Sequence, residues 1–263
     1  MKTLILLSIP ILLLSKVYYS KVEPYETYTI KSSASGEVVL SKIELEGKNI
    51  KNSKIVQIDD KIDRIELKIS KQKLKVLNRM VDINRETLKS IKESLAREEA
   101  YYHRVENLST VPISKKDNIF FNYINTKTKY LSTKEKIESL KREILNLKFK
   151  IDTLKDRILK KEIILKNRFL YKLLVHERDF VNIGTAIAKV SNLTKAKLIL
   201  FIENSEIENL KSKKIFINGK ETDYKISKIW KVADEKFISS YRVEIILDKN
   251  RYKFSTLLKV EFK

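Results

Sequence analysis

Cysteine is missing from all 263 residues, which excludes disulfides, thiolate metal sites, thiol nucleophiles and a lipid-modified cysteine. Any membrane tether must then be peptide. Glycine occurs four times and proline three times, so there is little scope for a phosphate-cradling loop and little to interrupt regular structure. The only histidines, His103 and His176, lie in different segments and make no shared metal site. Asp59-Asp60 and Glu98-Glu99 are neighbours whose side chains diverge, the wrong arrangement for a paired general acid and base. Trp230 is the single tryptophan and is expected to fill a core. No catalytic residue, metal or cofactor is expected.

Positive charge is what the chain has in excess. Lysine and arginine number 55 against 34 aspartates and glutamates, a formal charge of +21. Such a surplus invites a nucleic-acid reading. Yet the lysines run through the whole chain and alternate with glutamates in the middle, with no compact basic stripe interleaved by aromatics. No nucleic-acid partner is expected, although a basic coiled-coil scaffold or nucleic-acid-binding protein remains the alternative. Attraction to anionic lipid headgroups is a further use of the charge.

The chain starts Met1-Lys2-Thr3 and continues with the apolar run Leu4 to Leu14. A short positive start and an apolar run of this size match an export signal. The run falls short of the ~20 apolar residues that span a bilayer. Residues 1–20 are therefore expected to be a signal peptide or an N-terminal membrane anchor, with Ser15 and Ser20 as the candidate cleavage positions.

From about Lys61 to Leu108 the apolar residues recur every seven positions. One series is Leu67, Leu74, Val81, Leu88, Leu95 and Tyr102. The other holds Leu77, Ile91 and Val105, interrupted by Asn84 and Glu98. A second stretch, from about Lys115 to Asn167, carries Tyr123, Tyr130, Ile137, Ile144, Ile151, Ile158 and Leu165, with Leu140, Leu147 and Leu154 as the partner series. Such spacing is a coiled-coil seam. Between the stretches, Pro112 cannot continue a helix, and Ser114 is placed to cap the next one. The pattern predicts an antiparallel hairpin over 60–167 with its tip near 109–114; a parallel dimer or filament is the alternative, because heptads alone do not fix strand direction.

Short β-rich runs flank this hairpin. Before it come Ser35 to Leu40, Glu46 to Ile50 and Lys54 to Asp59; after it come Tyr171 to His176, Phe180 to Gly184 and Thr185 to Val190. Each set is too small to bury a core alone, so the two are expected to pair, with the hairpin as an insertion. Further strands are expected at Lys197–Glu203, Lys214–Ile217, Tyr224–Trp230, Tyr241–Leu247 and Leu257–Phe262. A short helix is expected at Asn204–Leu210 and a tight turn at Asn218-Gly219.

In this order of modules the sequence resembles the HlyD-like membrane fusion, or periplasmic adaptor, family. The resemblance rests on a split motif, Gly36-x-Val38 with Glu46-Gly47-x-x-Ile50 and Ile55-Val56-x-Ile58-Asp59, completed by Val175 through Gly184 to Val190 and Ser191-Asn192-Leu193. Ser53 replaces a usual glycine. The resemblance implies an α+β chain: a long antiparallel coiled-coil hairpin inserted in a split biotinyl/lipoyl-like β-sandwich (35–59 plus 168–192), followed by a small β-barrel over 193–263. Glu26–Lys31, within the 21–34 linker, would supply the first barrel strand. It also implies a periplasmic, inner-membrane-associated homo-oligomer that is not an enzyme. Its partners would be an inner-membrane transporter, of ABC or RND type, and an outer-membrane channel of TolC type. Family members carry an Arg-Leu-Ser pattern at the hairpin tip, which falls here on Arg104, Leu108 and Ser114, with the second gap one residue shorter.

Overall fold

The structure is a computed structural model and describes residues 16–248 and 251–263. The expected export segment falls outside the described residues as far as Ser15. Beyond it the chain is already folded: β1 (Val17–Lys21) is a strand. Ser20 is buried there, its Oγ donating to Ile199 O at 2.8 Å and accepting from Ile199 N at 3.0 Å. A boundary at residue 20 therefore has to move towards the N-terminus, since alternate burial along Tyr18 and Ser20 makes this a sheet strand. No helix among the described residues is long and apolar enough to cross a membrane.

The chain then forms β2 (Glu23–Lys31), β3 (Gly36–Ser41), a 3-10 turn (Ile43–Leu45) and β4 (Lys48–Ile58). Two long helices follow, α1 (Lys61–Val105) and α2 (Ile113–Lys160). Next come β5 (Glu162–Leu173), β6 (Phe180–Val181), β7 (Ala186–Glu203) and the single-turn α3 (Asn204–Ile207). A 3-10 turn at Leu210–Ser212 leads to β8 (Ile215–Ile217), β9 (Lys220–Thr222), β10 (Ile226–Ala233), β11 (Ser240–Asp248) and β12 (Leu257–Phe262). The molecule divides into two units, a β unit and the helical hairpin with its roots.

In the β unit the flanks of the hairpin meet. An eight-stranded sheet runs β10-β11-β7-β5-β4-β3-β6, with β2 also paired to β7. Arg178 N donates to Val38 O and Val38 N to Asp179 O, each at 2.8 Å. Ser41 Oγ donates to Val175 O at 2.7 Å, and Glu46 Oε1 accepts from Leu173 N at 2.6 Å. Val38, Ile55, Val56, Leu170, Val181, Ile187 and Val190 are fully buried between these strands. Each flank thus completes the other's core.

Residues 193–263 do not close into the expected barrel: among the described residues the strands divide between two open sheets. The reason is β7, whose 18 residues continue past the flank module and carry β11 and β10 into the same sheet. The second sheet is four-stranded, in the order β1-β12-β8-β9. Alternate residues of β7 (Ala196, Leu198, Leu200, Ile202) and of β11 (Val243, Ile245, Leu247) face Ile215, Ile217, Leu258, Val260 and Phe262 of the second sheet. Period-two alternation produces this one-sided core. The strand expected from Glu26–Lys31 pairs with β7, while β1 takes the place beside β12. Asn218 and Gly219 both adopt positive φ, and their turn joins β8 to β9 rather than to a strand at 224–230.

In the hairpin unit the seam residues are buried as the spacing predicts. Leu77 and Val81 of α1 pack with Ile137, Leu140, Ile144, Leu147 and Ile151 of α2, with Leu67, Leu74 and Leu88 beside them. Direction is fixed by pairs far apart in sequence: Lys150 to Glu66 at 2.7 Å, Lys73 to Glu143 at 2.9 Å, and the Tyr123 hydroxyl to Glu99 at 3.1 Å. The arms are antiparallel, each about 70 Å long at ~1.5 Å rise per residue. The second arm ends seven residues earlier than expected, at Lys160. Leu165 lies in β5, where Ile163 and Leu165 are buried and Ile164 is exposed. A two-residue alternation of branched residues there overrides the heptad register.

At the root of the hairpin, Asp63 accepts from Arg157 at 3.0 Å and from Lys161 at 2.6 Å. Burial opposes the Asp63 charge, but these hydrogen bonds outweigh it and hold the carboxyl below its ordinary range. Arg64 adds Asp60 and Glu162, each at 2.7 Å.

Candidate functional site at the hairpin tip

Helix α1 ends at Val105, and Pro112, seven residues on, bars the helix from continuing through the turn because its ring would clash with the carbonyl four residues before it. Glu106 still donates its N–H to Tyr102 O at 2.9 Å, and Leu108 N donates to Val105 O at 3.1 Å. Pro112, at φ −56° and ψ 142°, flanks the start of α2, and its carbonyl accepts from Lys115 N and Lys116 N. Ser114 is therefore not the helix cap. It sits in the first turn of α2, because the fixed φ of proline suits the residue that leads into a helix.

Below the turn the two helices are locked by aromatic rings. Tyr102 stacks on Tyr123 with centroids 5.8 Å apart and planes 3° from parallel, and touches Phe120 at 5.4 Å. Phe120 meets Phe121 at 6.2 Å. Lys127 lies 5.5 Å from the Tyr123 ring centroid. Val105 and Ile119 are buried between the arms.

Glu106 organises the turn itself. Its carboxylate meets His103 Nδ1 at 2.9 Å, and its carbonyl accepts from Lys116 Nζ at 3.0 Å across the loop. Hydrogen bonding to His103, then to Tyr102, holds the Glu106 carboxyl below its ordinary range. Partial burial, then the bond to Glu106, pushes the Tyr102 hydroxyl up. Glu106, Lys116 and Phe120 fall outside the heptad seams and the tip motif, so neither pattern marks them. Phe120 three residues before Tyr123 was the available hint, since that interval places both on one helix face.

The expected tip residues stand on this frame. Arg104 is exposed, its guanidinium 5.9 Å from the Tyr101 ring. Leu108 is 48% exposed and Ile113 77% exposed. Ser114 is exposed one residue into α2. All belong to one short stretch of chain at the turn, an arrangement that presents apolar and cationic groups to solvent on a stiff support. Among the described residues no cluster of three or more histidines or carboxylates could hold a metal ion. His176 is in the β unit, 3.7 Å from Asp179.

Trp230 is not a core residue. It is half-buried on β10, with Lys228 at 4.2 Å and Arg242 at 4.6 Å from its ring.

No protein-family model matches the sequence, and no curated protein sequence matches it either. Solved structures do. MacA from Actinobacillus actinomycetemcomitans is similar with a TM-score of 0.72 and 14% identity, over 95% of this chain and 78% of that one. The membrane fusion protein Spr0693 from Streptococcus pneumoniae R6 has a TM-score of 0.64 and 8% identity, over 95% and 99% of the two chains. A putative efflux transporter from Bacteroides eggerthii has a TM-score of 0.51 and 14% identity, over 94% and 68%. With the paired flanks and the inserted antiparallel hairpin, these likenesses give the chain the fold of the membrane fusion proteins.

Proposed function

We propose that the chain is a periplasmic adaptor of an efflux or secretion assembly, bridging an inner-membrane transporter to an outer-membrane channel. The observation that carries this reading is the likeness of fold to a membrane fusion protein across 95% of the chain, hairpin included. The paired flanks then serve as the lipoyl-like module from which the hairpin is inserted. The role is geometric, and the driving energy belongs to the transporter, of ABC or RND type. Inner-membrane association would come from the apolar start.

At the tip, Arg104 offers a planar fork of donors to a carboxylate or to backbone carbonyls. Leu108 offers an apolar plug, and Ser114 a hydroxyl. The aromatic stack beneath them supports docking by holding the turn still. Several copies side by side would complete a conduit. In favour of such packing, Ile62, Ile69, Val76 and Ile83 repeat every seven residues on α1 and are exposed. That is a second seam without an intramolecular partner among the described residues.

Export is tested by fusing alkaline phosphatase to the C-terminus. Active enzyme is expected; an inactive fusion retained in the cytoplasm would favour the basic scaffold instead. Docking is tested by the double change Arg104→Asp, Leu108→Asp. Transport should be lost while expression and helicity stay unchanged, and unimpaired transport removes the tip from the mechanism. Replacing His176 should leave transport intact.

A further inference from the structure

We infer that the turn joining β10 to β11, together with the sheet face beside it, is a contact site for an anionic lipid bilayer. The two faces of this hairpin differ. Ile229, Val243 and Ile245 point into the core. Trp230, Arg242 and Phe201, the last directly opposite Arg242 in the sheet, lie on the outer face. The Phe237 ring folds back from the turn onto Phe201, 4.3 Å between centroids. Lys228 and Arg242 both lie against Trp230. Beside this strip Val232 is 76% exposed, Ile238 82% and Phe237 50%.

The turn is held in shape. Asp234 Oδ1 accepts from Lys236 N at 2.9 Å and Phe237 N at 3.3 Å, and Ser240 N donates to Phe237 O at 2.8 Å. Ordered apolar side chains projecting from a fixed turn are costly to leave in water. Among the described residues no ion pair engages Lys231 or Lys236. Of the acidic groups nearby, Glu244 is taken by Arg242 at 2.7 Å and Lys197 at 3.9 Å, and Asp234 by the turn's backbone. Glu203, opposite Ser240, is taken by Lys16 at 2.8 Å, which leaves Asp234 and Glu235 as the acids within the turn against Lys228, Lys231 and Lys236. Aromatic rings, branched aliphatics and flanking lysines are the set that partitions into a headgroup region.

Position supports the same occupant. In the sequence Lys16 follows the apolar run Leu4 to Leu14 by one residue. Lys16 pairs with Glu203 at 2.8 Å, and Glu203 is directly opposite Ser240, where β11 leaves the turn. An apolar start held at a membrane would therefore bring this end of β7, and the turn with it, to the lipid surface.

The chain supplies its own probe, because Trp230 is the only tryptophan. The full chain is titrated with vesicles of phosphatidylcholine alone or mixed with phosphatidylglycerol, and tryptophan emission is followed. A blue shift with the anionic vesicles is expected, weakened by salt and quenched by lipids brominated near the headgroup. The double change Val232→Asp, Ile238→Asp should weaken the shift about tenfold or more, since two apolar anchors are lost. The pair Lys231→Glu, Lys236→Glu should weaken it without touching the apolar set. Both variants alter exposed positions, and unchanged circular dichroism verifies the fold. An unchanged emission maximum overturns the proposal even if the chain sediments with the vesicles through its apolar start. A shift seen only with native inner-membrane vesicles, and abolished by protease treatment of them, assigns the turn to a protein partner and overturns it too. Synthetic vesicles hold no transporter, so failure here leaves the adaptor reading standing.

Discussion

Asp63 shows how much can rest on one side chain. It is 5% exposed and faces two cations from the far end of α2. Its carboxyl is held below the ordinary 3.8 once folded, so the unfolded chain binds the proton more readily. The clasp's contribution is thus fully present above about pH 4 and is lost as pH falls through the lowered folded value. Urea midpoints measured between pH 6 and 2 should fall in that acid range. Asp63→Asn should flatten the fall and lower stability at pH 7 by about 2 kcal/mol, because a buried carboxylate partner is removed from two cations. Glu98 is the opposite case. It occupies the seam position between Ile91 and Val105, and its Oε2 is buried with no hydrogen-bond partner among the described residues. Glu98→Leu should raise stability by about 1 kcal/mol. Gly36, at φ +151°, would bring an added Cβ to 2.8 Å from Ile58 Cγ2. Gly36→Ala should cost about 1–3 kcal/mol in chemical unfolding.

At the scale of the element, the hairpin separates seam from surface. Leu154→Ala should cost about 2–4 kcal/mol, whereas Phe149→Ala, at an exposed position of the same helix, should change stability by less than about 0.5 kcal/mol. Ile69→Asp with Val76→Asp should leave the thermal midpoint nearly unchanged and weaken self-association in sedimentation; unaltered self-association would remove the second α1 seam as an interface. The hairpin was the most legible part of the chain, because a seven-residue period persists through Leu74, Val81 and Leu88, and again through Ile137, Ile144, Ile151 and Ile158. Its end was not legible, because Leu165 continues that period while its neighbours Ile163 and Ile164 set up a strand. The strand at Val17–Lys21 was masked by its position after an apolar run, which made it look like the tail of an export segment. Long-range pairing decided the rest. Nothing local shows that β7 runs on from one module into the next, so two open sheets form where a barrel was expected. At the tip, Arg104, Leu108 and Ser114 could be located from a motif, but Glu106 and Phe120 act through cross-turn contacts that the sequence does not mark.

Across the whole molecule, the order of segments along the chain dictates which of them must pair. Two strand groups that cannot each bury a core are separated by a hundred residues of hairpin, and they nevertheless share a sheet. In the proposed adaptor role the hairpin tip is the docking element, and residues near Leu108 are where contact would be made. The absence of cysteine makes that contact measurable without background. Leu108→Cys gives a single thiol, which can be linked in intact cells to neighbouring amines by a short thiol-to-amine crosslinker. One main adduct is expected, containing this chain and an outer-membrane channel protein, and it should be lost when Arg104 is also changed to Asp. A thiol at residue 108 that links only to cytoplasmic proteins, or reaches no outer-membrane protein while the chain is correctly exported, would contradict the adaptor role.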